Sequence, residues 1–341
     1  MGVDLSVLDL VPVGSGMTGA DALANSTDLV QRVEALGYKR HWVAEHHNMP
    51  GIASTSPPVL IAHLAAHSST IRLGSGGVML PNHAPIVVAE QFGMLESLHP
   101  GRIDLGLGRA PGTDPRTTAA LRGANAVEAV DDFPRHVREL WDYLGGADGP
   151  VRSFPQPDGM PEVWLLGSSD FSAQLAGLLG LPFSFAHHFS AGNTAAAIAA
   201  YRSRFRPGVL DEPRLMLGVS VICAEDDERA QWLAGPSRLS FARLRQGRPQ
   251  PMATPEEAAE HEFTPFEREI LKGWTSSMIV GSPETVQEGI EDLLAATGAD
   301  ELMVTTMVHG HADRVRSYEL VADRLRLDSS RAAVPAADRS A

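Results

Sequence analysis

Cysteine is almost missing from this chain, with Cys223 as its one representative. That excludes an intrachain disulfide and a thiolate metal cluster within one chain. Positive charge is also scarce. Lys and Arg total 28 against 42 Asp and Glu, for a formal net charge of −14. An acidic surface repels phosphate backbones, so nucleic acid is not expected as a partner. No apolar run reaches the roughly 18 residues needed to cross a bilayer. The opening MGVDLSVLDLVPVG carries no basic segment ahead of its apolar stretch, unlike a secretory signal. A cytoplasmic protein with no membrane partner is expected. A dinucleotide fingerprint is lacking too. In GLGRAPG, Gly106 and Gly108 fit, but Pro111 stands where the third glycine belongs, and no acidic residue follows at the usual distance in a βαβ unit. No nicotinamide site is therefore expected.

What is present is a regular alternation. Strand-like apolar runs fall at 2–10, 40–45, 71–80, 102–108, 163–167, 182–189, 214–224 and 301–308. Helical periodicity follows them at 27–36, after Pro57-Pro58, at 85–98, 131–144, 170–180, 193–205, from Asp226, and at 311–326. Eight strand–helix units in one chain are the requirement of a closed (β/α)8 TIM barrel. The barrel is expected over 1–327, with a frayed tail at 328–341. A Gly/Pro-rich connection at 145–162 and an insertion at 235–282 interrupt the alternation. Loops of that length are usually functional, which makes 235–282 a candidate lid.

Barrel enzymes carry their chemistry at the C-terminal ends of the strands. Glu45-His46-His47 ends strand 2. Gly76-Gly77 lies in strand 3, with Asn82-His83 just beyond, Gly106-Leu107-Gly108-Arg109 ends strand 4, and Gly167-Ser168-Ser169 ends strand 5. A glycine and two hydroxyls at a helix N-terminus fit a phosphate, although Ser168 or Ser169 as a simple helix cap fits the same letters. Arg109, in an open turn on the neighbouring strand, is suited to clamp that phosphate; an ion pair with Asp104 or Asp114 is the other use open to it. Paired glycines inside a strand mark a bulge or a close backbone approach. Successive strand residues face opposite ways, so only one of His46 and His47 should enter the pocket, where an imidazole can move or hold a proton near neutral pH.

Other histidines invite a metal reading. His63 and His67 share a helix face, but no glutamate follows His63 as in HExxH. His187, His188, His309 and His311 sit at strand ends and leave a metallohydrolase as a minor alternative, although carboxylates other than Glu45 are lacking there. No metal ligand set is assigned. Trp42, Phe183, Phe185, Phe189 and Trp274 suit either an aromatic pocket lining or core packing.

The strings WVAEHHNMPGIAS, RLGSGGVMLPNHAPIVVAEQFGMLESLHPGRIDLGLGRAPG, LLGSSDFSAQLAGLLGLPFSFAHHF and MIVGSPETVQEGIEDLLAATGADELMVTTMVHGHADRVRSYELVADRL together resemble the luciferase-like flavin monooxygenases, over about residues 3–326. The wording is most similar to single-chain actinomycete members, some of them from polyketide antibiotic pathways. The resemblance implies a (β/α)8 barrel, a homodimer, and FMN at the C-terminal end of the barrel, used in its reduced form as a co-substrate. It implies that a separate flavin reductase supplies FMNH2, that O2 adds to give a C4a-hydroperoxyflavin, and that a hydrophobic small molecule, such as a polyketide-type natural product, is oxygenated. Within Glu45-His46-His47 the first histidine, His46, takes the catalytic role. Gly76-Gly77 falls on the cis peptide beneath the flavin ring. Arg109 falls on the phosphate-binding arginine, and Ser168 and Ser169 on the phosphate turn, with Gly167 where luciferase has Glu. Gly108 replaces a luciferase cysteine. About His187, a luciferase tryptophan is replaced, which argues against the same aldehyde pocket. Hydride transfer with deazaflavin F420 or another flavin, and a non-catalytic flavin-binding protein, are alternatives within the same fold.

Overall fold

The structure, a computed structural model, describes residues 3–110, 113–122 and 131–327. Pro111 and the tail expected at 328–341 lie outside the described residues. Nine parallel strands form one sheet: β1 (Asp4–Asp9), β2 (Arg40–Val43), β3 (Arg72–Met79), β4 (Ile103–Gly108), β5 (Glu162–Gly167), β6 (Phe183–Phe185), β7 (Leu215–Cys223), β8 (Met278–Gly281) and β9 (Glu301–Thr305). Strands β1 to β7 pair in chain order. β7 then pairs with β9, and β9 returns to β1, which closes an eight-stranded barrel. The extra strand β8 pairs with Ser220–Cys223, the part of β7 that projects past the ring. Its four residues, MIVG, are too few to show a period, and they lie inside the stretch expected to be a loop.

Helices α1 (Gly19–Ala35), α2 (Pro57–Ala66), α3 (Pro85–Leu98), α4 (Pro115–Arg122), α5 (Phe133–Leu144), α6 (Asp170–Leu179), α7 (His187–Ser190) and α8 (Thr194–Arg204) follow in order. After β7 come α9 (Asp227–Leu233), α10 (Gly235–Arg245), α11 (Pro255–Ala259) and α12 (Pro265–Thr275); α13 (Pro283–Thr297) and α14 (His311–Leu325) are the last helices among the described residues. Helix α1 starts earlier than its apolar period indicates. The Thr18 hydroxyl accepts from Asp21 N–H, and Asp21 accepts in return from Thr18 N–H at 2.8 Å, a capping box that adds a polar first turn. Strand β6 is shorter than expected. The N–H groups of Phe189 and Ser190 both return to Ala186 O at 3.1 Å, so His187-His188 begins a helical turn instead of ending a strand.

The insertion at 235–282 is folded as α10, α11, α12 and β8. Leu239, Ala253 and Ala258 form a small apolar core there. Its middle is fastened to the barrel rim: Met252 N–H donates to Val13 O at 2.9 Å, Ser15 N–H to Met252 O at 2.7 Å, and the Ser237 hydroxyl to Met307 O.

Inside the barrel, the strand alternation builds distinct layers. The bottom layer is charged. Arg40 donates to Glu301 at 2.8 Å and to Asp104 at 2.9 Å, Arg214 donates to Glu162 at 2.7 Å, and Trp42 Nε1 donates to Asp104 at 2.8 Å. Arg40 is 1 % exposed and Asp104 is fully buried. The next layer is apolar: Leu8, Trp42, Trp164, Met216 and Met303, with the two indoles edge to face at 5.6 Å and both guanidinium groups lying over Trp164. Above it the strands supply Ala44, Gly76, Gly106, Gly218 and Ser220. Bulky and charged side chains thus fill the lower barrel, and small ones line its C-terminal end. Removing one partner of a buried ion pair leaves its mate uncompensated, at a cost of about 3–5 kcal/mol. Asp104→Ala, which strips Arg40 and Arg72 of a shared carboxylate, should lower the denaturant-unfolding free energy by about that amount.

Candidate functional site

The strand-end residues divide by strand face. Trp42 and Ala44 belong to the inner cluster and Val43 to the outer core. Continuing that alternation turns His46 toward the barrel axis, and turns Glu45 and His47 outward between α2 and α3. His46 is anchored by its backbone, whose N–H donates to Ser54 O at 3.1 Å. Its Nδ1 is buried and unpaired. Burial, reinforced by the charges of His47 and His188 and only partly offset by Glu45, lowers its pKa to about 4, so the imidazole is neutral at physiological pH.

Glu45 is 1 % exposed and saturated with donors: Met79 N–H at 2.9 Å, His47 Nε2 at 2.9 Å, His83 Nε2 at 2.9 Å and Asn82 Nδ2 at 3.2 Å. Arg122 in turn donates to Asn82 Oδ1 at 2.7 Å. Glu45, His47 and His83 line a cavity of about 300 Å³ together with Pro57, Pro58 and Gln91. The carboxylate thereby ties the end of β2 to the segment after β3. Arg122 has no counterpart among the sequence-derived candidates, because nothing in a surface-helix pattern connects it to a strand end. His83 was visible only as part of a polar cluster.

Gly76 and Gly77 are joined by a cis peptide, at a register shift between β3 and β4. A Cβ on Gly77 would lie 2.6 Å from Gly106 O, and one on Gly106 would lie 2.1 Å from Ser75 O. Side chains are therefore sterically excluded there, and two strands approach backbone to backbone. The Ser75 hydroxyl stitches them by donating to Gly106 O at 2.9 Å and accepting from Gly106 N–H at 3.0 Å.

Arg109 and the Gly167-Ser168-Ser169 turn share one rim. β4 and β5 are hydrogen-bonded neighbours, and the Arg109 guanidinium lies 4.1 Å from the ring centre of Phe171, in the first turn of α6. Asp104 is taken by Arg40, Arg72 and Trp42, and Asp114 by Asn48 and Thr117. Arg109 itself makes no ion pair among the described residues. Ser169 occupies the N-cap of α6, yet its side chain makes no capping hydrogen bond. Among the described residues, a cation without a counter-ion thus stands beside helix N–H groups that their own cap leaves open. Gly167 lets α6 pack tightly on β5, since a Cβ there would lie 2.7 Å from Ser172 Cβ.

The remaining histidines disperse. His63 and His67 stack on α2, His187 bonds Thr194 Oγ1 at 2.8 Å, His309 bonds Ser15 O at 3.1 Å, and His311 bonds Asp28 at 2.8 Å. His188, not His187, lies over the inward face of β7 at Gly218. Among the described residues no group of three or more His, Cys, Asp or Glu could hold a metal ion.

The Glu45 carboxylate carries a testable consequence. Burial alone would raise its pKa, but hydrogen bonds and charge from His83, with help from His47 and Met79 N–H, outweigh burial and hold it near about 2, against an ordinary 4.5. A depressed folded-state pKa stabilises above the unfolded value and loses that contribution as pH falls toward the folded value. Compared with Glu45→Gln, the wild type should keep its full advantage above pH ~5 and lose up to about 3 kcal/mol of it between pH 4.5 and 2, read from denaturant unfolding at stepped pH.

Comparisons with known proteins show the family and the fold. The family described as luciferase-like monooxygenase matches residues 3–301. A luciferase-like monooxygenase of Escherichia coli (strain K12) is 44 % identical over 324 residues, covering 94 % of this chain and 96 % of the relative. N-acetyl-S-alkylcysteine monooxygenase of Bacillus subtilis (strain 168) is 34 % identical over 333 residues, covering 94 % and 98 %. The crystal structure of apo-MsnO8 superposes with a TM-score of 0.85 at 39 % identity, covering 96 % of this chain and 99 % of that one. At 20 % and 16 % identity, the oxygenating constituent of 3,6-diketocamphane monooxygenase from Pseudomonas putida, in complex with FMN, and an F420-dependent secondary alcohol dehydrogenase share the fold alone, with TM-scores of 0.68 and 0.65. Their coverage is 95 % of this chain and 98 % of the first, and 96 % of this chain and all (100 %) of the second. With the family matched across most of its length and the barrel rim built as described, the chain belongs to the luciferase-like, flavin-dependent monooxygenases.

Proposed function

We propose that this enzyme binds FMN at the C-terminal rim and uses FMNH2, supplied by a separate reductase, with O2 to oxygenate a hydrophobic small molecule. The observation that carries the reading is Arg109. An arginine without an ionic partner among the described residues, held on the first turn of a helix whose cap is unused, is a site for a phosphate. The donors fit the cofactor in other ways as well. Gly76 and Gly77 carry no side chain to stand in the way of a flat ring, and His46, turned toward the axis by strand alternation, keeps an unpaired buried Nδ1. When bound, the flavin supplies the oxygen chemistry.

The chain's own residues do the rest. Arg109 with Ser168 and Ser169 binds the phosphate, and Gly167 allows α6 to come close enough for its N–H groups to help. His46, neutral and dry, holds or passes a proton at Nδ1. Glu45 and His47 face away from the axis, so we assign them to positioning: they fix the end of β2, and with it the His46 backbone. Thr113 Oγ1 donates to His47 O at 2.7 Å and Asn48 to Asp114 at 3.0 Å, which draws the β4 loop over this end and helps exclude water. The folded insertion serves as the cover on the β1 side, where Met252 and Ser237 fasten it to the rim.

A second copy of the chain is the proposed partner of α2 and α3. Val59, Val87, Met94 and Leu98 are 70 %, 43 %, 53 % and 56 % exposed there, and Val87, Met94 and Leu98 share one stripe of α3. Met94→Asp should shift a dimer toward monomer in sedimentation velocity.

FMN affinity and FMNH2 oxidation test the proposal. Arg109→Ala should weaken FMN binding by about 10- to 100-fold, the worth of a charge-assisted contact. His46→Ala should leave FMN bound and cut oxygenation by about 100-fold or more. Because His46 stays neutral down to about 4, the His46-dependent rate should be flat from pH 6 to 8. Tighter binding of F420 than of FMN would instead favour hydride transfer.

A further inference from the structure

Apart from His46 at the end of β2, the strands turn polar side chains into the upper interior on the β7–β9 sector. There β7 turns Met216, Gly218 and Ser220 inward, β9 turns Met303 and Thr305 inward, and Ser220 pairs with Thr305 in register. Thr305 is 4 % exposed, and its Oγ1 is buried without a hydrogen-bond partner. Its neighbour Thr306, which faces the helices, shows the contrast by donating to Val221 O at 2.8 Å. His188 reaches the same sector. It lies over Gly218, where a Cβ would come within 2.7 Å of its Nδ1, and that nitrogen is buried with no well-directed partner. Its charge also opposes that of His46, which places the two imidazoles near each other.

A buried hydroxyl or imidazole left unbonded costs about 1–3 kcal/mol. Where native proteins retain such groups, a ligand or water completes them. The proposed cofactor contacts are elsewhere on the ring: His46 on β2, Gly76-Gly77 on β3, and Arg109 with Ser168-Ser169 on β4 and β5. The β6–β9 sector faces them across the axis. Among the described residues the cations beneath it are committed, Arg40 to Asp104 and Glu301 and Arg214 to Glu162. Burial, with the charge of His187, also pushes the His188 pKa down against a weaker upward pull from the Gly218 backbone, so the imidazole is neutral and offers one donor and one acceptor.

We propose that His188 and Thr305 are the substrate's polar contacts, and that the substrate is a hydrophobic molecule carrying a neutral carbonyl or hydroxyl group. This deepens the monooxygenase reading and rests on its placement of the flavin. The two residues touch substrate and do not hold the cofactor. Ser220 lies beside Thr305, and the apolar remainder of the interior receives the hydrocarbon part.

The test titrates the FMN-loaded protein, with FMN oxidised, against pairs matched in shape: acetophenone with ethylbenzene, and 1-indanone with indane. Binding is measured by calorimetry, and the histidine nitrogens are followed by 15N NMR. Wild type should favour the ketone of each pair by about tenfold, the worth of one satisfied hydrogen bond, and the His188 resonances should move with ketone only. His188→Phe and Thr305→Val should each reduce the preference while FMN affinity stays as in wild type. Gly218→Ala, whose methyl would displace the imidazole, should act like His188→Phe. Equal binding within both pairs, binding of neither member, or a preference that survives both His188→Phe and Thr305→Val overturns the inference. Failure of the wild type to bind FMN strikes the cofactor reading, and the same titrations on the FMN-free protein then judge the substrate contacts by themselves: a ketone preference lost in His188→Phe and Thr305→Val upholds them, and equal binding overturns them.

Discussion

The Arg40 guanidinium, buried at the floor of the barrel, is the constraint on which the remaining architecture depends. It bridges carboxylates from β4 and β9, lies over an indole from β5, and itself sits on β2. Burying a guanidinium is tolerable only when every donor is met, so these strands are held at one height. Two tryptophans and two methionines fill the layer above. Beyond them the strands supply the small residues Ala44, Gly76, Gly106 and Gly218, with Leu8, Leu166 and His188 packed against the glycines. A charged, filled floor beneath a rim of small residues sends ligands to one end of the barrel.

At that rim the same alternation separates two kinds of polar chemistry. Inward residues are under-bonded: His46, His188 and Thr305 each keep a buried polar atom without a partner. Outward residues are over-bonded, with Glu45 collecting His47, His83, Asn82 and a backbone amide. Groups already saturated hold a framework, and a buried polar group left open in the interior is what the proposed ligand contacts draw on. One residue of offset along β2 decides which a side chain becomes.

Much of the fold was legible in the letters. α3 and α6 fall almost where their periods and flanking residues put them, since Pro85, Gly101 and Gly180 mark boundaries that backbone geometry enforces. Strand β8 and helix α4 were not legible. The first is too short to carry a period, and the second is a polar surface helix with no buried face. The insertion looked like a loop because its core, Leu239, Ala253 and Ala258, assembles from residues distant in sequence. In the site, the strand-end positions of Arg109 and Ser168-Ser169 could be read locally. The consequences of a helical turn at His187-His188 could not, because α7 replaces the expected strand end and brings His188, not its neighbour, over Gly218.

By itself the amino-acid sequence determined the barrel, the ligand-bearing end and the residue types gathered there, because strand and helix periods and Gly/Pro punctuation are local properties. Tertiary structure alone decided which of those residues share a space: that Arg109 rests on Phe171 beside an unused helix cap, that Glu45 turns away from the axis to gather His83, and that Thr305 and His188 remain open inside. These follow from how eight strands close and in what register, and closure depends on contacts between residues hundreds of positions apart, such as Ser6 with Glu301, which no local pattern encodes.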